Sequence, residues 1–319
     1  MGEHILGIHH VTAIAGDPQR NLDFYGGILG LRLVKLTVNF DDPGTYHFYF
    51  GDETGHPGTI ITFFPWPRAP RGRKGAGQAT AVAFAIPDGS LSFWMERLRR
   101  HGVAFSGPAH RFGRELLVLA DPDGLVLELV PSQSGTEFNP PTHGPVSAEH
   151  AIQGLHSVTL MESQWDATSS LLEGTLGFRF EAADENWFRY SLGSGGSGTI
   201  VDVLRAPGEA PGTVAVGTVH HVAWRVSDGA TQRTWRAKIV DHGVAATNVL
   251  DRKYFTSIYF REPGGVLFEI ATDPPGFTVD ESLEDLGTNL MLPPWLELRR
   301  RSLESSLPRV TAPRFARAA

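Results

Sequence analysis

Gly7-Ile-His-His-Val-Thr12 recurs later in the chain as Gly154-Leu-His-Ser-Val-Thr159, and this repeat decides the fold. From each opening glycine it is 23 residues to the glycine of a second match, where Leu29-Gly-Leu-Arg32 corresponds to Leu176-Gly-Phe-Arg179. Two matches at one spacing place the two halves of the chain in register. Self-similarity of this kind is typical of a fold that is built from repeated structural units.

A second pair of motifs divides each half again. His101-Gly-Val-Ala104 recurs as His242-Gly-Val-Ala245, and 27 residues after each histidine comes a glutamate, Glu128 or Glu269. Each glutamate follows a turn that contains an acidic residue, a proline and a glycine. The repeat therefore predicts four modules, at about 7–66, 79–131, 154–206 and 218–272.

Each module has the same predicted order of elements, a short alternating strand, a helix and then three strands between Gly, Pro and Asp turns. In the first module the elements are predicted at 9–14, 17–29, 31–38, 46–50 and 59–64. Helices are also predicted at 90–101 and 230–242. One βαβββ unit leaves a sheet face exposed, so modules must pair to bury it. We predict an α+β fold in which four βαβββ modules pair into two metal-cup half-barrels.

The halves of the repeat define the predicted domains. The N-terminal pair of modules occupies 1–131 and the C-terminal pair occupies 148–275. Between them lies a linker, 132–147, that is rich in Ser, Pro, Thr and Gly, and residues 276–319 form a C-terminal tail.

Composition excludes several classes of function. The 319 residues include no cysteine, which rules out disulfides, thiolate metal ligands and a cysteine nucleophile. A net charge of −7 provides no basic surface for nucleic acid. No apolar run approaches the ~18 residues of a membrane span, and the start, Met1-Gly-Glu-His4, lacks the features of a signal peptide. We expect a cytoplasmic protein that binds neither nucleic acid nor membrane.

Three residues stand out as candidate metal ligands. His10 and His221 each close a His-His doublet, and each doublet opens a segment of strand character. Glu269 ends the strand-like run Val266-Leu-Phe-Glu269, which follows a Pro-Gly-Gly turn. Two imidazoles and one carboxylate are the ligand set of the facial triad, which binds Fe(II) and leaves adjacent positions open.

The repeat tests whether these ligands meet. In its register, His10, His221 and Glu269 correspond to Ser157, Ala81 and Glu128, in that order. If module one pairs with two, and three with four, neither site has all three ligands. If module one pairs with four, and two with three, one site is complete and the other has lost both imidazoles. We predict the second pairing, one metal per chain, and an emptied twin cup that is filled by side chains.

His156 is a rival to His10, because with His221 and Glu269 it would complete a triad inside the second half alone. Neighbouring residues of a strand point to opposite faces, so His156 is in phase with His9 rather than with His10. We therefore favour His10. Seven other histidines occupy predicted loops or helix ends and are interpreted as structural: His47, His56, His101, His110, His143, His150 and His242.

The chain resembles the vicinal-oxygen-chelate superfamily, in which paired βαβββ modules form cups around a divalent metal. Within it, the chain is similar to the ring-cleaving dioxygenases that act on hydroquinones, over almost all of its length. The similar stretches are Gly7-Ile-His-His-Val-Thr12, Phe112-Gly-Arg114, Gly217-Thr-Val-His-His-Val-Ala223, Asp251-Arg-Lys253, Pro263-Gly-Gly-Val-Leu-Phe-Glu269 and Leu292-Pro-Pro-Trp-Leu-Glu297.

The resemblance implies that His10, His221 and Glu269 hold Fe(II), with Mn(II) as the alternative metal. It implies an enzyme that opens the ring of a para-diphenol with O2, so its partners would be a small aromatic diphenol and dioxygen. The sequence leaves formation of a homo-oligomer open.

The resemblance also assigns roles near the metal to His9, Thr12, His220, Arg252 and Tyr259. Tyr259 would hydrogen-bond the substrate, a nearby imidazole would move protons, and Arg252 would supply positive charge for an anionic intermediate. Strand parity, in contrast, predicts that His9 and His220 face away from the metal.

Three other functions compete with this interpretation. A catechol extradiol dioxygenase would use the same ligands. A glyoxalase-like isomerase or lyase would need a fourth protein ligand, and the corresponding strand of module one, Thr59-Ile-Ile-Thr-Phe-Phe64, carries no carboxylate. A non-catalytic binding protein on the same cups would have no need of a metal triad with open positions.

Overall fold

The computed structural model describes residues 4–132 and 137–312, and it contains four modules of the predicted βαβββ order. Module one comprises β1 (Gly7–Ala15), α1 (Pro18–Leu22), β2 (Arg32–Val38), β3 (Tyr46–Gly51) and β4 (Ile60–Pro65). Module two comprises β5 (Gln78–Ile86), α2 (Leu91–Arg100), β6 (Phe105–Arg111), β7 (Arg114–Ala120) and β8 (Val126–Pro131). Module three comprises β9 (Gly154–Glu162), α3 (Asp166–Gly174), β10 (Arg179–Asp184), β11 (Trp187–Ser191) and β12 (Ile200–Arg205). Module four comprises β13 (Thr218–Val226), α4 (Gly229–Asp241), β14 (Leu250–Asp251), β15 (Thr256–Arg261) and β16 (Leu267–Thr272), and α5 (Arg300–Ser306) lies in the tail.

The helix boundaries follow from local chemistry. Asp17 caps α1, because its side chain accepts a hydrogen bond from Arg20 N at 2.8 Å, and Pro18 occupies the first turn, where no N–H is needed. The helix predicted at 17–29 continues beyond α1 as a π-helical turn, Asp23–Ile28. The helices predicted at 90–101 and 230–242 are observed as α2 and α4, within one residue at each end.

The strands form two curled half-barrel sheets of eight strands each. One sheet has the order β14-β15-β16-β13-β1-β4-β3-β2, and the other has the order β10-β11-β12-β9-β5-β8-β7-β6. Module one therefore pairs with module four, and module two pairs with module three. The predicted fold class and the predicted pairing are both confirmed. Each sheet is joined at its centre by the first strands of its two modules, β1 with β13 and β5 with β9, which run antiparallel.

The opening glycines of the repeat lie where the two sheets meet. Ile8 N donates to Gly198 O at 2.7 Å, and in the repeat-related contact Leu155 N donates to Gly58 O at 2.8 Å. Gly154 has a φ of +131°, and a Cβ at this position would lie 2.9 Å from Gly58 O. Only glycine permits both this conformation and this approach.

The described part of the tail packs along module one. Met291 N donates to Leu36 O at 2.9 Å, on strand β2. The fully buried Lys35 binds two tail carboxylates, Asp280 at 2.7 Å and Glu281 at 2.5 Å, which compensate its charge. Phe277 packs its ring between those of Tyr49 and Tyr254. The tail thus packs against module one, the module that carries His10.

The linker also packs against module one where it is described. Glu53 N donates to Asn139 O at 2.9 Å, and Asn139 N donates to the Asp52 carboxylate at 3.0 Å. Residues 1–3, 133–136 and 313–319, which belong to the predicted N-terminal domain, linker and tail, lie outside the described residues. Within the described ranges, no helix combines the length and apolar character that a membrane crossing requires.

Candidate metal centre and substrate cavity

Three strands of the module one–module four sheet bring the candidate ligands together. His10 on β1 pairs with Ala223 on β13, and Ala223 in turn pairs with Glu269 on β16. His221 lies two residues before Ala223, on the same strand. The carboxylate and the two imidazoles therefore meet at the centre of the sheet, although 211 residues separate the two histidines.

The ligand atoms converge on one point. His10 Nε2 lies 3.3 Å from His221 Nε2 and 3.5 Å from Glu269 Oε2, and His221 Nε2 lies 2.9 Å from the same oxygen. Donors that bind one ion at ~2.1 Å, at right angles to each other, lie about 3 Å apart. All three side chains are buried, so the geometry fits a single divalent ion.

Glu269 shows the strongest sign that a cation belongs here. Its Oε1 accepts a hydrogen bond from Ser257 Oγ at 2.5 Å, but Oε2 is buried and has no hydrogen bond of acceptable geometry, despite its distance of 2.9 Å to His221 Nε2. Burial favours a raised pKa for Glu269, but the neighbouring His10 and His221 outweigh it and hold the pKa well below its usual range. A buried, ionised oxygen without a donor suits a metal ligand.

Two β-bulges orient the imidazoles. The register of the β1–β13 ladder shifts twice, and the residues left without a cross-strand partner are His9 and His220. His9 Nδ1 lies 2.9 Å from His10 Nδ1, and His220 Nδ1 lies 2.8 Å from His221 Nδ1. Each ligand's Nδ1 is thus engaged by the preceding ring, which leaves Nε2 to face Glu269. Such contacts behind a metal ligand fix its ring orientation.

The bulges also correct an expectation. Strand parity predicted that His9 and His220 face away from the centre, but a bulge re-aims the side chains around it. For His220 the prediction is wrong, because its ring lines the cavity beside the ligands. His9 is buried behind them, with its ring 5.0 Å from that of Phe255.

A cavity of about 270 Å³ opens beside two of the three candidate ligands, His10 and His221. Six of its fourteen lining residues are aromatic and four are histidines, and a wall that combines aromatic rings with polar groups is typical of a site for a small organic ligand. Its lining residues are His10, Asn39, Phe40, Asp41, His47, Tyr49, Phe64, Trp66, His220, His221, Arg252, Phe255, Tyr259 and Leu267.

Arg252 and Tyr259, two of the predicted residues, lie together in this wall. Arg252 Nε donates to Tyr259 OH at 3.2 Å, and Tyr259 pairs with Glu269 across the β15–β16 ladder. Burial and the charge of Glu269 raise the pKa of Tyr259, although Arg252 opposes the shift. Tyr259 therefore keeps its proton near neutral pH and is available as a hydrogen-bond donor.

Thr12 does not line the cavity but connects to it through a hydrogen-bond chain. Thr12 Oγ1 lies 2.7 Å from Thr62 Oγ1, and His47 Nε2 lies 2.9 Å from the same Thr62 oxygen. His47 was interpreted as structural from the sequence, yet it lines the cavity and packs against the rings of Tyr49 and Phe64. Its place inside the predicted strand 46–50 was the available signal, because a strand histidine in phase with Tyr49 shares a sheet face with that ring.

The twin cup lacks the ligand set. Ser157 and Ala81 replace the two imidazoles, and Glu128 is neutralised by Arg111, whose Nη1 lies 2.8 Å from its Oε2. The Arg111 guanidinium also stacks on the ring of Trp187 at 3.9 Å. The glutamate that corresponds to Glu269 is thus paired with an arginine instead of with two imidazoles.

The rival ligand His156 lies in this twin cup, away from His221. Its Nδ1 lies 2.9 Å from Ser197 Oγ. Close to it, Arg189 and Asp202 form a buried, bidentate ion pair with distances of 2.7 and 2.8 Å. His156 is the extra residue of a bulge in the β5–β9 ladder, as His9 is in the β1–β13 ladder.

The repeated architecture has a counterpart in a known family. The family profile described as the Glyoxalase/Bleomycin resistance protein/Dioxygenase superfamily matches residues 7–129 and 154–270. The chain belongs to this superfamily. The two matched segments are the two halves of the internal repeat, so the resemblance found in the sequence is confirmed at the level of the family.

Within the superfamily, the chain is similar to proteins named as dioxygenases over nearly its full length. It is 47% identical over 307 residues to MhqO of Bacillus subtilis, a proposed ring-cleaving dioxygenase, with 96% of this chain and 97% of MhqO covered. It is 39% identical over 303 residues to the chlorohydroquinone/hydroquinone 1,2-dioxygenase of Sphingobium indicum, with 92% and 94% covered. The crystal structure of a proposed dioxygenase from Bacillus subtilis superposes with a TM-score of 0.93 at 46% identity, covering 98% of this chain and 99% of that chain.

Proposed function

We propose that this chain is an Fe(II)-dependent dioxygenase that opens the ring of a hydroquinone with O2. The observation that carries the proposal is the meeting of His10 Nε2, His221 Nε2 and Glu269 Oε2 beside an aromatic cavity. The relative named for its action on hydroquinones supports the choice of substrate.

The donor set supports Fe(II), with Mn(II) as the alternative. His10, His221 and Glu269 would hold the ion, and two imidazoles with one carboxylate are a ligand set that binds Fe(II) and leaves coordination positions free for a substrate and O2. Bound there, Fe(II) would supply the Lewis acidity and the redox chemistry that O2 needs to react with a phenol. His9, His220 and Ser257 would hold the ligands in place through the contacts described above.

The cavity residues have distinct roles in this proposal. The aromatic wall packs against the faces of the substrate ring and excludes water. Tyr259 donates a hydrogen bond to an oxygen of the substrate, and Arg252 holds the Tyr259 hydroxyl and places a positive charge near the reacting oxygens. His220, which lines the cavity beside His221, is placed to exchange a proton with a ring hydroxyl. Thr12 acts indirectly, because it is hydrogen-bonded to Thr62, which in turn is hydrogen-bonded to the cavity residue His47.

A glyoxalase-like isomerase is less consistent with the site. A fourth protein ligand would be expected from β4, which pairs with β1 next to His10. The side chains of β4 are Ile60, Ile61, Thr62, Phe63, Phe64 and Pro65, and none of them is a carboxylate or an imidazole.

The direct test is oxygen uptake by anaerobically purified protein loaded with Fe(II). We expect one O2 per ring with hydroquinone and methylhydroquinone, and a ring-opened product that carries both atoms of ¹⁸O2 by mass spectrometry. A parallel sample loaded with Mn(II) identifies the working metal. Faster uptake with catechol than with hydroquinone would support the extradiol alternative, and no uptake with any diphenol would contradict the proposal.

A pair of repeat-related variants controls the experiment. Glu269→Gln removes the carboxylate charge from the candidate centre, whereas Glu128→Gln makes the same change in the twin cup. We expect Glu269→Gln to abolish uptake and Glu128→Gln to retain most of it, with the fold of each verified by circular dichroism. Equal activities of the two variants would show that the centre lies elsewhere.

A further inference from the structure

An ion pair crosses the cavity between module one and module four. Asp41, in the loop after β2, places Oδ2 3.0 Å from Nη1 of Arg252. Both residues line the cavity. Arg252 keeps only 17% of its side chain exposed, whereas Asp41 keeps 72%, so the aspartate approaches from the solvent side.

This ion pair contains all the permanent charge of the cavity lining. Apart from Asp41 and Arg252, the lining residues are histidines, aromatic residues, one asparagine and one leucine. Burial lowers the pKa of His47 well below its ordinary value, so that it too is uncharged near neutral pH. Among the described residues that line the cavity, Arg252 alone carries a permanent positive charge that could bind a substrate carboxylate, and it is already paired with Asp41.

The loop holds Asp41 in place. Asp41 N donates to Asn39 Oδ1 at 3.0 Å, and Asn39 N donates to Thr45 O at 2.8 Å, which closes the turn. Phe40, between them, packs its ring edge-on against Trp295 of the tail at 5.7 Å. The aspartate is thus anchored from two sides rather than carried on an unsupported loop.

We propose that Asp41 is a specificity-determining residue, which occupies Arg252 and so excludes hydroquinones that bear a carboxylate while admitting those with uncharged substituents. The inference rests on the proposed function, since it concerns the ring that the candidate centre would open. A carboxylate that entered the cavity would meet the negative charge of Asp41 and would have to break its ion pair with Arg252. An uncharged methyl or halogen substituent meets only the aromatic wall.

The test compares two hydroquinones in the Fe(II)-loaded protein, methylhydroquinone and 2,5-dihydroxyphenylacetate. In the wild type, we expect kcat/KM for the carboxylate to be at least about tenfold below that for the methyl compound. Asp41→Asn should raise the carboxylate-to-methyl ratio by on the order of tenfold at low ionic strength, and less in high salt, because an exposed charge is screened. The ratio cancels any general effect of the substitution on turnover.

Asp42→Asn is the matched control. Asp42 is the next residue of the same loop, is also exposed, and bonds Thr45 instead of Arg252. The Asp42→Asn substitution changes the net charge by the same amount but leaves the Asp41–Arg252 ion pair intact. The carboxylate-to-methyl ratio of kcat/KM should therefore stay within about twofold of the wild type. A shift with Asp42→Asn equal to that with Asp41→Asn, or a shift below twofold with Asp41→Asn, would overturn the proposal. A wild type that prefers the carboxylate would overturn it as well.

Binding separates this inference from the proposed function. If neither hydroquinone is turned over, the dioxygenase proposal fails, but calorimetric titration of the same two compounds into the wild type, Asp41→Asn and Asp42→Asn still measures charge selection by the cavity. A carboxylate-to-methyl affinity ratio that rises about tenfold only in Asp41→Asn supports the role of Asp41. An unchanged ratio of affinities contradicts it.

Discussion

His10 and His156 are both strand histidines of the repeated motif, and they differ in what surrounds their ring nitrogens. His10 Nε2 faces a second imidazole and an ionised carboxylate within 3.5 Å. His156 bonds Ser197 and lies in the field of Arg189, whose positive charge would repel a metal ion. In the sequence, both histidines could complete a triad with His221 and Glu269, and it was strand parity within the repeat, which puts His156 in phase with His9, that favoured His10.

Replacing these two histidines tests the assignment. His10→Ala should lose bound iron, because the two remaining ligands hold a divalent ion far less tightly, while the fold is retained by the surrounding sheet. His156→Ala should keep about one equivalent of iron. Elemental analysis after anaerobic loading and desalting measures both, with circular dichroism as the check on folding. Iron retained by His10→Ala and lost by His156→Ala would reverse the assignment.

His156 also predicts a pH dependence of stability. Burial, reinforced by the charges of Arg189 and Arg114, lowers the pKa of His156 to about 3, whereas in the unfolded chain it lies near ~6.5. Below pH 6.5 the unfolded chain takes up a proton that the folded chain does not, so the free energy of unfolding decreases as the pH falls toward 3.

Between pH 7 and pH 5 this uptake should cost the wild type about 2 kcal/mol that His156→Gln does not lose. Urea denaturation of the two proteins at both pH values measures the difference. All other titrating groups are shared by the two proteins, so their contributions cancel. Equal losses of stability would show that His156 is not held neutral by the fold.

At the scale of elements, the positions of strands and helices were predictable from the sequence. The β-bulges, which determine where the neighbouring side chains point, were not. The alternation of apolar residues and the positions of turn residues predicted the strand boundaries of module one to within two residues. The bulges at His9 and His220 appear only when β1 meets β13, since an extra residue is defined by its partner strand. Parity reasoning therefore failed for His220. His47 was missed for a similar reason, because its role depends on which wall of the cup β3 forms.

Replacing Gly154 tests how closely the two sheets pack where they meet. Gly177 also has a positive φ, +78°, but a Cβ there would meet nothing within 4 Å. Gly177→Ala should thus report the conformational cost alone, on the order of 1–2 kcal/mol. Gly154→Ala adds the clash with Gly58 O and should lower the free energy of unfolding by about 3 kcal/mol. Denaturation midpoints that shift equally for both variants would show that the contact between the sheets is not tight.

At the scale of the whole molecule, the two sheets have the same architecture and different contents. One cup gathers two imidazoles, a carboxylate and an open cavity, and the other holds the Arg111–Glu128 and Arg189–Asp202 ion pairs. The sequence predicted the loss of ligands from the twin cup. It did not predict that charged pairs would fill it, because an arginine in a strand pattern does not reveal its partner.

The asymmetry predicts one metal per chain. The two carboxylates of the twin cup, Glu128 and Asp202, are each paired with an arginine, and among the described residues no group of three candidate metal ligands lies there. Stepwise loading with Fe(II) under anaerobic conditions, followed by elemental analysis, should plateau near one equivalent, and Glu269→Ala should reduce it to near zero. A plateau near two, of which half survives in Glu269→Ala, would show that the twin cup still binds metal.

Because module one pairs with module four and module two with module three, the two sheets can form at different stages of translation. Modules two and three are consecutive, so the β5–β9 ladder is free to close once the ribosome has passed module three. β1 has to wait for β13, which is translated last of the four opening strands, and until then its apolar residues have an unpaired edge. The twin cup can thus close before the cup of the candidate metal centre, which needs strands from both ends of the chain. A chain that ended before residue 218 would contain every strand of the twin cup but neither His221 nor Glu269.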